Sequence, residues 1–292
     1  MTHRRGNGAA ALVAWLMGAA ALASAQNLNW EGQTGAFITP FAYTASSGKW
    51  VGLPAVSYHY LDAGPVIGGF FQTSATVGVL KRAEFGYTRA FHRAGETAGL
   101  SQLWTGGFNT VHGKVNFAPE NAAGRNWFPA LAAGFVARTQ VRNVGGVIRS
   151  RDTRNGDVYL VATKTVTQVP RIPVLLNLGF KATNAAVFGL AGNAAAVRGR
   201  LFGAAAFVLP GVGPAKSTLV FGSEFAQQPR RLQDLSGPII PTTITYFLRI
   251  APKTERVKMN IDFGVAQVAG RVLPGVNLAS RHQFATGYSL QF

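Results

Sequence analysis

Cysteine is absent from this chain of 292 residues. A small fold held together by disulfides and any thiol chemistry are therefore excluded. Long apolar runs are also missing after residue 25: the longest, Trp127 to Ala137, has 11 residues, whereas a membrane-spanning helix needs about 20. A helical membrane protein is thus excluded. A closed β-barrel remains as the other structure that satisfies every backbone group in lipid.

The first 25 residues have the layout of a secretory signal peptide. Arg4 and Arg5 form a basic n-region, residues 9–22 are small and apolar, and Ala23-Ser24-Ala25 is an A-x-A cleavage site. The alternative is a retained anchor helix, for which the apolar run is short. We therefore predict a signal peptide at 1–25, an N-terminal segment at 26–51 and a barrel at 52–292.

Acidic residues are scarce. After removal of the signal peptide, 26 Lys and Arg stand against 11 Asp and Glu, a net charge of +15. Nucleic acid is a common partner of such basic chains, but export and the lack of a nucleic-acid-binding motif argue against it. Two explanations remain: basic loops that contact the lipopolysaccharide and lipid of an outer membrane, or a lumen that attracts small anions.

Segments of about ten residues with alternating character recur along the chain. In the clearest, Arg256 to Val268, Met259 and Ile261 share an apolar face while Lys258 and Asp262 share a polar one. The predicted strands are Pro54–Leu61, Phe70–Leu80, Ala83–His92, Phe108–Ala118, Phe128–Val141, Asp157–Gln168, Pro173–Thr183, Gly199–Leu209, Ser217–Gln227, Thr242–Ala251, Arg256–Val268 and Arg281–Phe292. Their number predicts an all-β fold, a transmembrane antiparallel up-and-down barrel of about 12 strands, with the N-terminal segment packed in or under it.

The connections between these strands alternate in length. Those after the second, sixth, eighth and tenth strands are short, and most of the others are long. Outer-membrane barrels have short periplasmic turns and long outer loops, so the alternation fixes the predicted orientation. The turn Pro119 to Trp127 is longer than this rule prefers.

The last strand ends in an aromatic residue. Phe284, Tyr288, Leu290 and Phe292 alternate with polar or small residues. Such a strand resembles the last strand of bacterial outer-membrane barrels, where it is the assembly signal. The resemblance implies the bacterial outer membrane as the location and the barrel assembly machinery as a partner.

Several blocks resemble a known family. They are Gly35-Ala36-Phe37-Ile38-Thr39-Pro40, Glu84-Phe85-Gly86-Tyr87-Thr88-Arg89, His112-Gly113-Lys114-Val115-Asn116 and Phe180-Lys181-Ala182-Thr183-Asn184. They are similar to blocks in uncharacterised proteobacterial outer-membrane proteins. Their order resembles, more distantly, YjbH-like barrels linked to exopolysaccharide production. The resemblance implies a barrel and carries no settled activity.

No catalytic signature is complete. The S-x-x-K match at Ser46–Lys49 lacks its partner motifs, and the histidines after residue 25 do not have metal-ligand spacing. His282 is a candidate for an outer-membrane phospholipase, but a position in the interfacial girdle explains it more simply. We predict no enzyme, no metal and no cofactor, with a lipolytic enzyme as the alternative.

Charged residues at inward-facing positions define the predicted lumen. Taking parity from the outward aromatics, they are Glu84, Lys114, Lys181, Glu224, Arg249, Arg256, Lys258, Asp262 and Arg281. Two interpretations stay open. Such side chains can form salt-bridge ladders that plug the lumen of a structural or assembly barrel. They can also line a narrow channel that passes or binds anionic solutes.

Two further sets of basic residues need an explanation. Around the third outer loop, the sequence places Arg138, Arg142, Arg149, Arg151 and Arg154. We expect them to touch lipopolysaccharide phosphates, or to recognise an acidic polysaccharide. Lys164 has lipid-facing parity, where a charge near the bilayer midplane costs about 2–4 kcal/mol. Either the parity is wrong there or a bulge intervenes.

Overall fold

In the part of the chain that the structure describes, twelve strands and one short 3-10 turn, Ala122–Gly124, form the named elements. The computed structural model describes residues 27–45, 50–65, 67–96, 104, 106–141, 153–167, 172–190, 192–231, 240–254, 257–268 and 282–291. The strands are β1 (Ala55–Asp62), β2 (Gly68–Val79), β3 (Ala83–Ala94), β4 (Phe108–Ala118), β5 (Ala130–Val141), β6 (Thr153–Val166), β7 (Val174–Ala186), β8 (Gly192–Val212), β9 (Ser217–Ala226), β10 (Thr243–Ala251), β11 (Lys258–Val268) and β12 (His282–Gln291). Within these residues no helix is both long and apolar enough to cross a membrane.

The sheet closes on itself. Each strand pairs antiparallel with the next along the chain, and β1 pairs with β12. Closure leaves no edge strand with unpaired backbone groups, which is the condition for a sheet in lipid. The predicted twelve-stranded barrel is confirmed. The largest difference in bounds is in β8, which starts earlier than predicted because it resumes pairing with Ala185 and Ala186 beyond a bulge.

The two faces of the barrel wall differ as the alternation requires. Aromatic and aliphatic side chains such as Phe85, Leu178, Phe207 and Tyr288 stand on the outside and are exposed. Inward positions carry mostly polar, charged and small side chains, together with some large apolar ones such as Phe70, Phe202 and Phe247, and these side chains are buried. An apolar exterior around a polar interior is the reverse of a water-soluble barrel and suits a lipid surrounding. The protein is a bacterial outer-membrane β-barrel.

The two ends of the barrel differ in their connections. Residues 80–82 join β2 to β3 and residues 213–216 join β8 to β9, whereas residues 142–152 separate β5 from β6. We assign the end with the short turns to the periplasm and call the other the outer end.

Lys164 faces outward, as its parity predicts, and β6 pairs with β7 there without a bulge. It lies two residues before the periplasmic end of the strand. Its ammonium is 3.0 Å from the Glu120 carboxylate and donates a hydrogen bond to Asn121. The charge therefore lies at the rim rather than at the midplane, and neither a wrong parity nor a bulge is needed to explain it.

Residues 27–45, which we call the plug, lie inside the barrel. All of them are buried except Pro40 and Tyr43, which are partly buried. The plug forms neither a strand nor a helix, and its regular pairing is limited to isolated bridges, Leu28 to Thr34 and Gly35 to Pro40. The N-terminal segment predicted to pack in or under the barrel thus occupies the lumen.

The lipid-facing surface can be tested with two leucines of equal exposure. Leu178 lies mid-strand in β7 and Leu53 precedes β1 at the periplasmic end, and both are 59% exposed. We expect Leu178→Lys to lower the free energy of unfolding by about 2–4 kcal/mol, and Leu53→Lys by about 0–1 kcal/mol. Urea unfolding of the barrel refolded into vesicles measures both. Equal, small effects would contradict a lipid-exposed wall.

The orientation can be tested because the chain has no cysteine of its own. We expect Arg230→Cys, exposed beyond β9, to react with a membrane-impermeant maleimide on intact cells. Arg82→Cys, exposed in the turn after β2, should react only after the outer membrane is permeabilised. The reverse pattern would mean that the assigned ends are exchanged.

Candidate functional site

The inward charges of β3 and β4 bind the main chain of the plug. Glu84 accepts hydrogen bonds from the backbone N–H groups of Thr34 (3.0 Å) and Ala45 (2.7 Å), and from the Thr34 hydroxyl (2.6 Å). Lys114 lies 2.9 Å from Glu84 and donates to the Thr34 carbonyl, also at 2.9 Å. Both side chains are fully buried. One ion pair thus satisfies donors and an acceptor of the same plug segment.

A second set on β9, β10 and β11 does the same on another side of the lumen. Glu224 accepts from the backbone N–H groups of Ile38 and Thr39, each at 2.8 Å. Arg249 donates to the carbonyls of Gly35 (3.0 Å) and Ala36 (3.2 Å). It also forms a bidentate pair with Asp262, with N–O distances of 2.5 and 3.1 Å. The wall side chains in this set are buried.

Neutral wall side chains complete the recognition. Asn116 donates to the Ala42 carbonyl at 2.7 Å, and Asn177 donates to the Pro40 carbonyl at 3.1 Å. The Thr163 hydroxyl accepts from the Ala42 N–H at 2.7 Å. Further carbonyls of the plug, those of Glu31 and Gly32, accept hydrogen bonds from Thr88 and Thr76. The plug is therefore recognised chiefly through its backbone.

The one charged side chain of the plug meets Arg138. The guanidinium of Arg138 donates to the two carboxylate oxygens of Glu31 at 2.6 and 2.8 Å, and to Asp157 at 2.9 Å. Lys181 lies 3.8 Å from the same oxygen of Asp157. Arg138 is 0% exposed. The assignment of Arg138 to an outer-loop basic cluster is therefore wrong, because the residue is part of β5 and points into the lumen.

The last part of the plug is tied to the periplasmic end. The Tyr43 hydroxyl donates to Glu120, which lies in the connection after β4, at 2.7 Å. Burial, followed by the nearby Glu120 carboxylate, raises the pKa of Tyr43 above its ordinary value. The plug therefore reaches Arg138 in the outer half of β5 and returns to the periplasmic rim.

At the outer end, the connection between β7 and β8 folds over the lumen. Phe188 and Leu190 are buried there, and the Lys181 ammonium lies 5.2 Å from the centre of the Phe188 ring. The Trp104 indole donates to the Leu190 carbonyl at 2.6 Å. One cavity between plug and wall, next to Glu31, has a volume of about 20 Å³, which is roughly the space of one water. The described lumen is thus occluded.

The structure places most of the residues predicted from the sequence. On the interior face and buried are Glu84, Lys114, Lys181, Glu224, Arg249 and Asp262. Lys258 is exposed at the periplasmic end, and Arg154 is exposed at the outer end of β6. On the outward face of β12 are Phe284, Tyr288 and Leu290. Outside the described residues lie Arg142, Arg149, Arg151, Arg256, Arg281 and Phe292.

Sequence reasoning missed three members of the buried network: Glu31, Arg138 and Asp157. Arg138 has the same parity as Val136, and position 135 carries an outward aromatic, so the strand period could have placed it inside. Glu31 lies in a segment without periodicity, and no sequence signal identifies its partner. Within the described residues there is no group of three His, Asp or Glu that could hold a metal ion.

A family model described as "Protein of unknown function (DUF3034)" matches residues 25–248. The chain belongs to the DUF3034 family. No curated protein matches this DUF3034 chain. The more distant resemblance to YjbH-like barrels receives no support from these findings and stays a prediction.

Among solved structures, the DUF3034 chain is similar to outer-membrane barrels at low identity. A KdgM porin has 9% identity and a TM-score of 0.47, over 82% of this chain and 99% of the porin. A NanC porin has 8% identity and a TM-score of 0.45, over 82% and 98%. The translocator domain of the autotransporter NalP from Neisseria meningitidis has 12% identity and a TM-score of 0.45, over 98% of each chain. These values say nothing about solute or activity.

The Arg138 network yields a stability prediction. Arg138→Met leaves two buried carboxylates, Glu31 and Asp157, without their shared counter-charge, and we expect a loss of about 3–5 kcal/mol in the free energy of unfolding. Adding Glu31→Gln in the same chain should recover part of the loss, because Asp157 then still faces Lys181 at 3.8 Å. The matched control is Arg154→Met, an exposed arginine on the adjacent strand, which should change stability by less than about 0.5 kcal/mol. Equal effects of the two arginine substitutions in urea unfolding would contradict the network.

Proposed function

We propose that this protein is an outer-membrane channel that its own N-terminal segment holds closed. The observation that carries the proposal is the set of hydrogen bonds from inward wall side chains to the main chain of the plug. They include three donated by the backbone N–H groups of Thr34, Ile38 and Thr39 to wall carboxylates. The polar side chains of the wall thus match the main chain of this one segment, so the lumen is built to hold it.

The wall is suited to losing the plug because its charges are balanced without it. Three ion pairs join neighbouring strands: Glu84 to Lys114, Arg138 to Asp157, and Arg249 to Asp262. Each of these pairs is made by wall residues alone. The described wall has four buried cations and four buried acids, and the plug adds only Glu31. Departure of the plug would therefore expose a neutral, hydrated wall rather than a field of like charges.

The balance of positive and negative charges on the wall also bears on which solutes the open barrel would attract. An open wall with paired charges would attract anions only weakly, so the cation-lined path considered from the sequence has little to support it. The exposed arginines at the outer end favour a second role for that end. Arg154, Arg198, Arg230 and Arg231 are exposed there. We propose that they attract lipopolysaccharide phosphates or an acidic polysaccharide by charge, without a catalytic step.

Two further expectations belong to this proposal. The mature chain would begin at Gln26, directly before the plug, after cleavage of a signal peptide. The aromatic-rich β12 would guide insertion by the barrel assembly machinery. We propose no enzymatic activity, because the buried ionisable groups described above are engaged by the plug or by each other.

A glycine pair allows a sharp test of the gate. Gly32 of the plug has φ +82°, and an added Cβ would lie 2.7 Å from the Thr88 hydroxyl and 2.8 Å from the Ser74 Cβ on the wall. Gly64, in the turn after β1, has φ +84° and nothing within 4 Å. Valine is strained at both positions, but only at Gly32 does it collide with the wall.

In planar bilayers we expect the wild-type protein and Gly64→Val to give no steady current. Gly32→Val should give repeated openings, and deletion of residues 27–45 a steady current. Heat-modifiable migration on a gel checks that each variant forms a barrel. The proposal would be overturned if Gly32→Val and the deletion variant both fold but give no current. It would also be overturned if the wild-type current equalled that of the deletion variant.

A further inference from the structure

One sector of the lumen is not matched by the plug. Ser57 on β1, Ser289 on β12 and Asn260 on β11 are 4%, 1% and 2% exposed. Among the residues that the structure describes, their side-chain oxygens have no hydrogen-bond partner, and neither has the side-chain oxygen of Gln291 on β12. These four residues, which we call the polar sector, occupy three consecutive strands.

The register places the polar sector in one patch. Ser289 lies opposite Ser57 on one side and opposite Asn260 on the other, so the three form a row across β1, β12 and β11. Gln291 lies two residues further toward the periplasmic end on the same face of β12. The patch therefore faces the periplasmic half of the lumen.

The plug places apolar rings beside this sector, at His59. His59, two residues from Ser57 on the same face of β1, contacts Trp30 and Phe37 edge to face, with ring centroids 6.1 and 5.8 Å apart. Aromatic carbon offers no hydrogen bond to the neighbouring hydroxyl and amide groups. Elsewhere on the wall, as at Glu84 or Thr163, the plug supplies main-chain N–H groups. Buried polar groups without partners are rare in folded proteins, so their concentration here indicates a missing partner.

We propose that the polar sector is the binding surface for a neutral, hydroxyl-rich solute, in the manner of a sugar, entering from the periplasmic end. This rests on the proposed function, since the plug must move before a solute can pass from the row through the lumen. Serine hydroxyls and the side-chain amides of asparagine and glutamine both donate and accept hydrogen bonds, as sugar hydroxyls do. The nearest buried charges, Asp262 and Arg249, are already paired with each other. The cation next to the sector is Lys258 on β11, which lies opposite Gln291 and already has an interaction partner.

The proposal predicts that the plug loosens first over the polar sector. In the otherwise wild-type, cysteine-free chain, we expect Ser57→Cys and Ser289→Cys to react with a small water-soluble methanethiosulfonate at least tenfold faster than Thr88→Cys and Thr163→Cys. The two threonines are matched controls, because their hydroxyls bond to the main chain of the plug. In the variant lacking residues 27–45 all four should react rapidly, which shows that the reagent enters. Equal labelling rates at the four cysteines in the full chain would overturn the proposal that the plug loosens first over the polar sector.

The solute class is tested in liposomes containing the variant without residues 27–45. We expect neutral sucrose to enter several-fold faster than the similarly sized anion lactobionate. Adding Ser57→Ala and Ser289→Ala should slow sucrose several-fold and leave the chloride current unchanged. If this barrel carries no current at all, the gating proposal fails. If it carries current but the serine substitutions do not slow sucrose, or lactobionate enters faster, the polar sector alone fails.

Discussion

The structure depends on satisfying the main chain of a segment buried without a strand partner. Residues 27–45 enter a space from which water is largely excluded, and each buried N–H or C=O left unpaired there destabilises the folded state. The plug forms some backbone hydrogen bonds of its own, such as that from the Trp30 N–H to the Phe37 carbonyl, and the wall provides partners for groups that these bonds leave unpaired. The carboxylates of Glu84 and Glu224 each accept hydrogen bonds from two N–H groups of the plug. Arginine, lysine, asparagine and threonine side chains of the wall donate hydrogen bonds to carbonyls of the plug. The polarity of the lumen follows from this requirement.

Two of the buried wall carboxylates face a counter-charge across the antiparallel register. Glu84 lies directly opposite Lys114, and Asp262 lies directly opposite Arg249. Side chains facing each other across a strand pair lie within reach of an ion pair without any backbone adjustment. Both pairs also form hydrogen bonds to the main chain of the plug. At these two places, ion pairing between strands and recognition of the plug form one arrangement.

The strand positions, the inward charges and the contacts between wall and plug differ in how far they can be predicted from the sequence. Strand positions follow from a local period of two and from turn residues, so β4 has the predicted bounds Phe108–Ala118. The inward placement of Glu84 and Asp262 follows from the same parity. The hydrogen-bond partners of these charges do not follow from parity. Glu84 binds Thr34, which is fifty residues away in sequence and lies in a plug without a periodic pattern. The sequence groups Arg138 with the arginines around the third outer loop because they follow it, although it lies within the predicted strand Phe128–Val141 and its parity points inward.

The block by which the chain resembles its family, Gly35 to Pro40, lies in the plug rather than in a strand. Its carbonyls at Gly35 and Ala36 are held by Arg249, its N–H groups at Ile38 and Thr39 by Glu224, and its Pro40 carbonyl by Asn177. Gly35 itself is required by the fold of the plug, because an added Cβ would lie 2.3 Å from the carbonyl oxygen of Thr39 in the same segment. The family match, over residues 25–248, includes the whole plug. In this chain, any passage of a solute through the barrel would therefore require the proposed movement of its own N-terminal segment.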